Sequence, residues 1–238
     1  MDTESNLKFL ANAIRSRGFR FLAIYFREAI LFDVLHRTNT HSRKPKSDQS
    51  LEPDGDAADG LLYVASFTSV ATRSVTAARR LLGDSRIANS QFLDLGCGKG
   101  KTLLVYDCLF GDQPAPPAIG IDYDAELVAI AKENLRRRAV GEERVQVYFD
   151  SATNLANHVT ARYLIVYLYN SFTGATLQAV LASLAQFPHV LIYVDPQEKQ
   201  VLGDHGYLVH HTHNGRYRAD TWMIGVSSSL RAELPKSA

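Results

Sequence analysis

Phe92-Leu93-Asp94-Leu95-Gly96-Cys97-Gly98-Lys99-Gly100 decides how the rest of the chain is read. An apolar run ends at an acidic residue, three glycines follow at alternate positions, and an apolar helical pattern starts at Thr102. That order describes a strand, a tight turn and the start of a helix. Glycine suits the turn because a Cβ would obstruct a backbone that bends sharply and lies against a ligand. The N–H groups opening the next helix favour an anionic group, either a carboxylate or a phosphate. The dinucleotide fingerprint G-x-G-x-x-G, counted from Gly96, needs a third glycine at 101, where Lys101 stands.

Outward from this stretch, strands and helices alternate. A helix is expected over Ser66–Leu82, stopped by Gly83, and another over residues 101–110, ended by the Pro-rich loop before Ala118. Ala118-Ile119-Gly120-Ile121 is a buried second strand closed by Asp122, and Asp124 caps a helix reaching Val140. Arg136, Arg137 and Arg138 fall in its last turns, where positive charge complements the helix dipole. Val145–Phe149, the wholly apolar Tyr163–Tyr169 and Val190–Val194 make three more strands, with a helix over about Gly174–Phe187. Two β-like runs, Tyr207–His213 and Ala219–Ser227, close the series around Asn214-Gly215, a strong signal for a two-residue hairpin turn. The fold class is therefore α/β: a doubly wound, mostly parallel, seven-stranded sheet ending in an antiparallel hairpin.

The 238 residues, 46% of them hydrophobic, support one main domain, spanning residues 61–230, with an appended segment. Residues 1–36 read as two helices broken near Gly18, a stripe packed on the main domain or else a substrate-side cap or homodimer surface. Residues 37–60 lack buriable apolar side chains and read as a linker or lid. A net charge of +1 argues against a general nucleic-acid-coating surface. Cys97 and Cys108 are the only cysteines and fit no disulfide or zinc pattern, so a reducing cytoplasm is the expected location. The apolar stretch from Phe19 to Leu35 carries Arg27, Glu28 and Asp33, which excludes a membrane span. His205, His210, His211 and His213 share no ligand spacing with a carboxylate or cysteine, and no metal site is assigned to them.

The pattern Asp-x-Gly-x-Gly-x-Gly over Asp94–Gly100 resembles the first motif of the class I (Rossmann-like) methyltransferases that use S-adenosylmethionine (SAM), and the likeness extends over roughly residues 60–230. The terminal hairpin is similar to the ending of that family, whose last strand inserts beside the fifth. The resemblance implies SAM as cofactor. Backbone N–H groups of Gly96 and Gly98 would take the methionine carboxylate, in a turn completed by Cys97 and Gly100. Asp94 would orient the ammonium, brace the loop, or do both. Asp122 would accept the ribose hydroxyls and Tyr123 pack on the adenine or ribose. Relatives show an acidic residue near the end of the third strand reaching the adenine amino group. Asp150 and Ser151 compete for that place here, Asp150 being the stronger acceptor.

Tyr169-Asn170-Ser171-Phe172 resembles the Asn-Pro-Pro-Phe type of motif, with Ser171 in place of a proline. There Asn170 would hold an acceptor amine in line with the methyl group, and Tyr169 and Phe172 would shelter the developing cation. On turn chemistry alone, Asn170 equally serves to turn the chain. Leu62-Tyr63-Val64-Ala65 is similar to the Tyr-x-Pro segment of non-SET histone-lysine methyltransferases and their bacterial look-alikes, which makes Tyr63 a cofactor lid. The implied reaction is methyl transfer to an amine of a small molecule or a protein side chain. Its rivals are O-methylation with a base such as Asp195 or a His, a degenerate SAM-binding scaffold subunit and, third, a NAD(P)-binding protein.

Overall fold

The structure, a computed structural model, describes residues 23–41, 65–111, 113, 115–169 and 171–234. Phe26–Ile30 form a π-helical turn that runs into α1, Leu31–His36. There follow α2 (Thr68–Leu82), α3 (Asp84–Ile87), β1 (Ser90–Leu95), α4 (Lys101–Phe110), β2 (Ala118–Asp122), α5 (Ala125–Arg137) and β3 (Val145–Phe149). A 3-10 turn over Ala152–Asn157 leads to β4 (Tyr163–Tyr169), α6 (Gly174–Leu184), β5 (His189–Val194), α7 (Val201–Asp204), β6 (Leu208–His213), β7 (Trp222–Val226) and α8 (Ser228–Glu233).

The strands form one seven-stranded sheet in the order β3-β2-β1-β4-β5-β7-β6. Neighbours among β1 to β5 pair parallel, and β7 runs antiparallel between β5 and β6. The order reverses between β1 and β4, which places the crevice of a doubly wound sheet at their carboxyl ends. Along each strand, side chains alternate between two buried layers. Phe92, Ile165, Tyr167, Ile192 and Ile224 face α2, α4 and α5, while Leu93, Leu95, Val166, Leu191 and Tyr193 face α6 and the 3-10 turn. Burial on both faces explains why β4 is apolar throughout.

Local chemistry sets the boundaries. Asp124 Oδ1 accepts from the N–H groups of Glu126 (2.9 Å) and Leu127 (3.2 Å), as expected of a cap, and α5 stops at Arg137, earlier than its apolar pattern suggested. Gly83, at φ +84°, ends α2. The last hairpin departs from expectation. A two-residue Asn214-Gly215 turn is not formed: His213 pairs with Trp222, so residues 214–221 make the connection, with a 3-10 turn at Arg218–Asp220. A Cβ on Gly215 would stand 2.5 Å from the Asp220 carbonyl carbon, so this glycine serves a close approach inside the longer loop. Ion pairs from Arg73 to Asp220 (2.5 Å) and from Arg218 to Asp195 (3.0 Å) hold that loop open. At the opposite end of β5, His189 is wholly buried, donating from Nδ1 to Phe187 O (2.7 Å) and accepting at Nε2 from Tyr207 Oη (2.5 Å).

No helix among the described residues is long and apolar enough to cross a membrane. Residues 1–22 and 42–60 lie outside the described residues, as do Tyr63 and Asn170.

Candidate functional site

β1 ends in the glycine turn, and all three glycines adopt positive φ: Gly96 +74°, Gly98 +52° and Gly100 +76°. Each has a reason beyond the turn. A Cβ on Gly96 would lie 2.5 Å from Ser171 Cβ, because the end of β4 packs directly on this residue. A Cβ on Gly100 would come within 3.2 Å of Ala131 Cβ, so this glycine lets α5 approach the start of α4. Ser171, where a proline was the expected residue, puts its hydroxyl to use by donating to Leu95 O (3.0 Å) or Tyr169 O (3.2 Å). The ends of β1 and β4 are thereby stitched together.

The turn's own N–H groups are spoken for. Gly96 N–H donates to Ile121 O (2.8 Å), as does Cys97 N–H (3.1 Å), and Gly98 N–H donates to Asp122 Oδ2 (2.7 Å). The expectation that Gly96 and Gly98 offer their N–H groups to a ligand carboxylate is therefore corrected. A turn seated between two parallel strands satisfies its buried donors internally. Cys97 turns its thiol toward Gly120 of β2, and burial pushes that thiol well above its usual range.

Two carboxylates close the strands beside this turn. Asp122 is buried and also accepts the Asp124 N–H at Oδ1 (2.9 Å), so it braces both the glycine loop and the entry to α5. Asp94 is 97% buried by area, and its Oδ2 has no hydrogen-bond partner among the described residues. Burial, with the nearby Asp122 carboxylate adding to it, holds the Asp94 carboxyl far above the usual carboxylate range. A buried acid with one oxygen left short of a partner at the glycine turn is a feature that calls for an explanation. Behind it, Tyr167 Oη hydrogen-bonds Ser66 Oγ, tying the segment ahead of α2 to β4.

Asp150 and Ser151 are both engaged in their own turn. Asp150 accepts from Ser151 N–H (2.7 Å), Asn154 Nδ2 (2.8 Å) and His158 Nε2 (2.7 Å), while Ser151 Oγ accepts from Thr153 N–H (3.1 Å). Tyr123 is half-buried next to Asp122. Tyr169 is half-buried at the end of β4, and Phe172 is buried in the layer facing α6. Asp94, Gly96, Gly98, Gly100, Asp122 and Ser171 are thus gathered at one point, with Tyr123 and Tyr169 on its flanks.

Two residues escaped the sequence reading. Phe149 is in register with Asp122 and 59% exposed at the end of β3, an aromatic face at the rim of the cleft. Its signal was present as the aromatic residue closing the third strand. Trp222, the only tryptophan of the chain, opens β7 in register with Val194, which is itself in register with Tyr169. Its indole nitrogen is buried without a partner among the described residues, and the rings of His211 and His213 lie 4.9 and 5.5 Å away. No motif marked it, because its position depends on the insertion of β7 beside β5. Among the described residues, no group of three or more His, Cys, Asp or Glu side chains gathers to hold a metal ion.

No family model matches the chain. It is 28% identical over 123 residues to ribosomal protein L11 methyltransferase of Pseudomonas putida (strain W619), a match covering 51% of this chain and 39% of that protein. Among solved structures it is similar to magnesium protoporphyrin IX methyltransferase (ChlM) from Synechocystis PCC 6803 with bound SAM, at TM-score 0.50 and 16% identity, covering 87% of this chain and 96% of that one. A candidate rRNA methylase from Clostridium thermocellum superposes at TM-score 0.50 with 12% identity, covering 70% and 97% of the two chains. The chain has the fold of the class I, Rossmann-like methyltransferases.

Proposed function

We propose that this protein is a SAM-dependent methyltransferase whose acceptor is an amine of a small molecule or a protein side chain. The observation that carries the reading is Asp94: a buried carboxyl with an unpartnered oxygen, beside three positive-φ glycines and the braced Asp122. That set fits a zwitterionic, positively charged nucleoside. Asp94 offers its oxygen to the ammonium side, and a cation there offsets the cost of ionising a buried acid. Asp122, buried at the end of β2, is the acceptor assigned to the ribose hydroxyls. Tyr123 and Phe149 supply aromatic surface for the base. Bound SAM would supply an electrophilic methyl group on a sulfonium centre.

The protein's own part is then to align and to exclude water. Gly96 lets the β4 end close over the turn, and Ser171 fixes the spacing between the two strand ends. Tyr169 and Trp222 line the acceptor side. Asn170, assigned from its place in the sequence after Tyr169, orients the nucleophile. An amine is favoured over a hydroxyl at Asp195, one of the bases an O-transfer would use, because its carboxylate is held by Arg218 Nε (3.0 Å) and Gln197 Nε2 (2.8 Å). The likeness to ribosomal protein L11 methyltransferases adds weight to a protein acceptor. The complete Asp94/Gly96/Gly98/Gly100/Asp122 set speaks against a degenerate scaffold.

The test is methyl transfer from labelled SAM into purified ribosomal protein L11 and into a panel of small amines, with S-adenosylhomocysteine as the counted product. Asn170→Ala should lower kcat by roughly 10²-fold, the usual scale for losing an orienting hydrogen bond, with SAM affinity unchanged. Near-normal turnover in that variant would return Asn170 to a turn residue, and transfer to phenols or carboxylates alone would overturn the amine assignment.

A further inference from the structure

We propose that residues Glu28–His41 form a latch that holds the glycine loop in its ligand-binding shape, with Asn134 as the positioning residue that connects the two. Its bearing on SAM affinity rests on the function proposed above. Its effect on the loop does not.

Asn134 lies on α5 and is 1% exposed. Its Nδ2 donates to Lys99 O (3.0 Å), between Gly98 and Gly100, and to Asn39 O (3.3 Å). Its Oδ1 accepts the Asn39 N–H (2.8 Å). One amide thus bridges the loop to the N-terminal segment, its NH2 donating to two carbonyls while its oxygen accepts an N–H. A second tie lies at the first residue of α4. There the buried Lys101 ammonium donates to Glu28 O and sits 5.2 Å from the Phe32 ring centroid. Glu28 is itself anchored to α2, because Thr68 Oγ1 donates to Glu28 O (3.0 Å) and Ser69 N–H donates to Glu28 Oε2 (2.9 Å).

The turn that presents Asn39 is built by one carboxylate. Asp33 Oδ1 accepts from Thr38 Oγ1 (2.6 Å) and Thr40 Oγ1 (2.8 Å). Oδ2 accepts from Thr40 N–H (2.7 Å), His41 N–H (2.7 Å) and His41 Nδ1 (2.5 Å). Burial alone would raise the Asp33 pKa, but the bonds from His41, Thr38 and Thr40 outweigh it and hold the carboxyl well below the usual range. The same bonds secure Arg37 at φ +56°, a left-handed conformation that a non-glycine residue holds only when its surroundings fix it. None of these Asp33 bonds reaches the glycine loop, so an Asp33 effect there travels through the segment's ties, from Asn39 to Asn134 and from Glu28 and Phe32 to Lys101. A loop with three glycines has wide backbone freedom, so an outside tie changes how much of the time it is correctly shaped.

The test uses the full chain with Asn134→Asp, Asp33→Asn and the double variant. Asn134→Asp preserves size but replaces both donors with a carboxylate facing two carbonyls. Hydrogen–deuterium exchange of the ligand-free protein reads the loop, and calorimetry reads SAM. Asn134→Asp should speed exchange at residues 96–101 and weaken SAM by about tenfold each, Asp33→Asn should do the same by about fivefold, and the double variant should lose less than the two single effects combined. Unchanged exchange at 96–101 in both single variants overturns the latch, as do additive losses of melting temperature with wild-type SAM affinity. If the wild type takes no SAM while exchange still responds as described, the latch stands and the cofactor assignment falls.

Discussion

The two ends of the sheet solve the same problem, placing polar groups at strand termini, in opposite ways. At the β1–β3 end the polar side chains are buried and bonded to backbone: Asp122 takes N–H groups from Gly98 and Asp124, and Asn134 takes the Lys99 carbonyl. At the β6–β7 end they are exposed and bonded to one another, as in Arg73–Asp220 and Arg218–Asp195, along an edge strand that leaves Leu208 and Val209 in solvent. Backbone bonds in a dry environment fix one geometry, whereas exposed ion pairs contribute little and rearrange readily. The first arrangement suits an invariant ligand. Under the proposed function, the second suits the acceptor side.

The largest effect is expected where the rigid end admits no added atom. Gly96→Ala combines a strained φ of +74° with a clash against Ser171, and should destabilise the protein by about 4 kcal/mol. Denaturant unfolding checks this, and a loss under about 1 kcal/mol would show that the β4 end yields easily and weaken the contrast.

A buried exception sharpens the comparison next. His189 anchors the hairpin end through Tyr207, and burial depresses its pKa from 6.5 to about 4. The unfolded chain therefore binds the extra proton more readily between those values, and stability falls as pH drops from 6.5 toward 4. The full shift corresponds to about 3 kcal/mol. Melting temperatures of the wild type and His189→Gln across that window should converge as acid removes the wild type's advantage. Parallel curves would mean that His189 is not held neutral.

A smaller loss separates bracing from ligand contact. Asp122→Ala leaves the Gly98 N–H unpaired and removes the ribose acceptor, so SAM affinity should fall by about 1.5–3 kcal/mol in calorimetry. Unchanged affinity would leave Asp122 a brace alone. At the far end of the scale, Arg218→Ala breaks only an exposed pair and should shift stability by less than about 1 kcal/mol. A larger cost would put structural weight on the hairpin that its exposure does not suggest.

The same contrast explains what was legible in the sequence. β1 to β5 and their helices follow from apolar runs and the Asp124 cap, because burial on two faces and capping are local patterns. The glycine turn, Asp94 and Asp122 were readable because a sharp turn constrains residue type. What the turn's N–H groups bond to was not, since their acceptors lie on β2, more than twenty residues away. Thr38–His41 looked like the start of a linker. Hydropathy cannot see that Asp33 satisfies a fully buried Thr40. Asn134 left a trace, as a polar residue on the buried stripe of Leu127 and Ala131. Asn214-Gly215 misled because the ion pairs that lengthen its loop come from α2 and the end of β5.

The central claim is that the Asp94 end of the sheet is built for a cationic nucleoside, and titration calorimetry of the wild type with SAM across pH tests it most directly. SAM should bind at micromolar or tighter Kd while NAD gives no heat. Because a cation beside Asp94 favours its ionised form over the protonated form that burial favours, binding should release a proton, and affinity should rise with pH until the carboxyl ionises unaided. Micromolar binding of NAD with no heat from SAM, or SAM binding with no proton released at any pH, would contradict it.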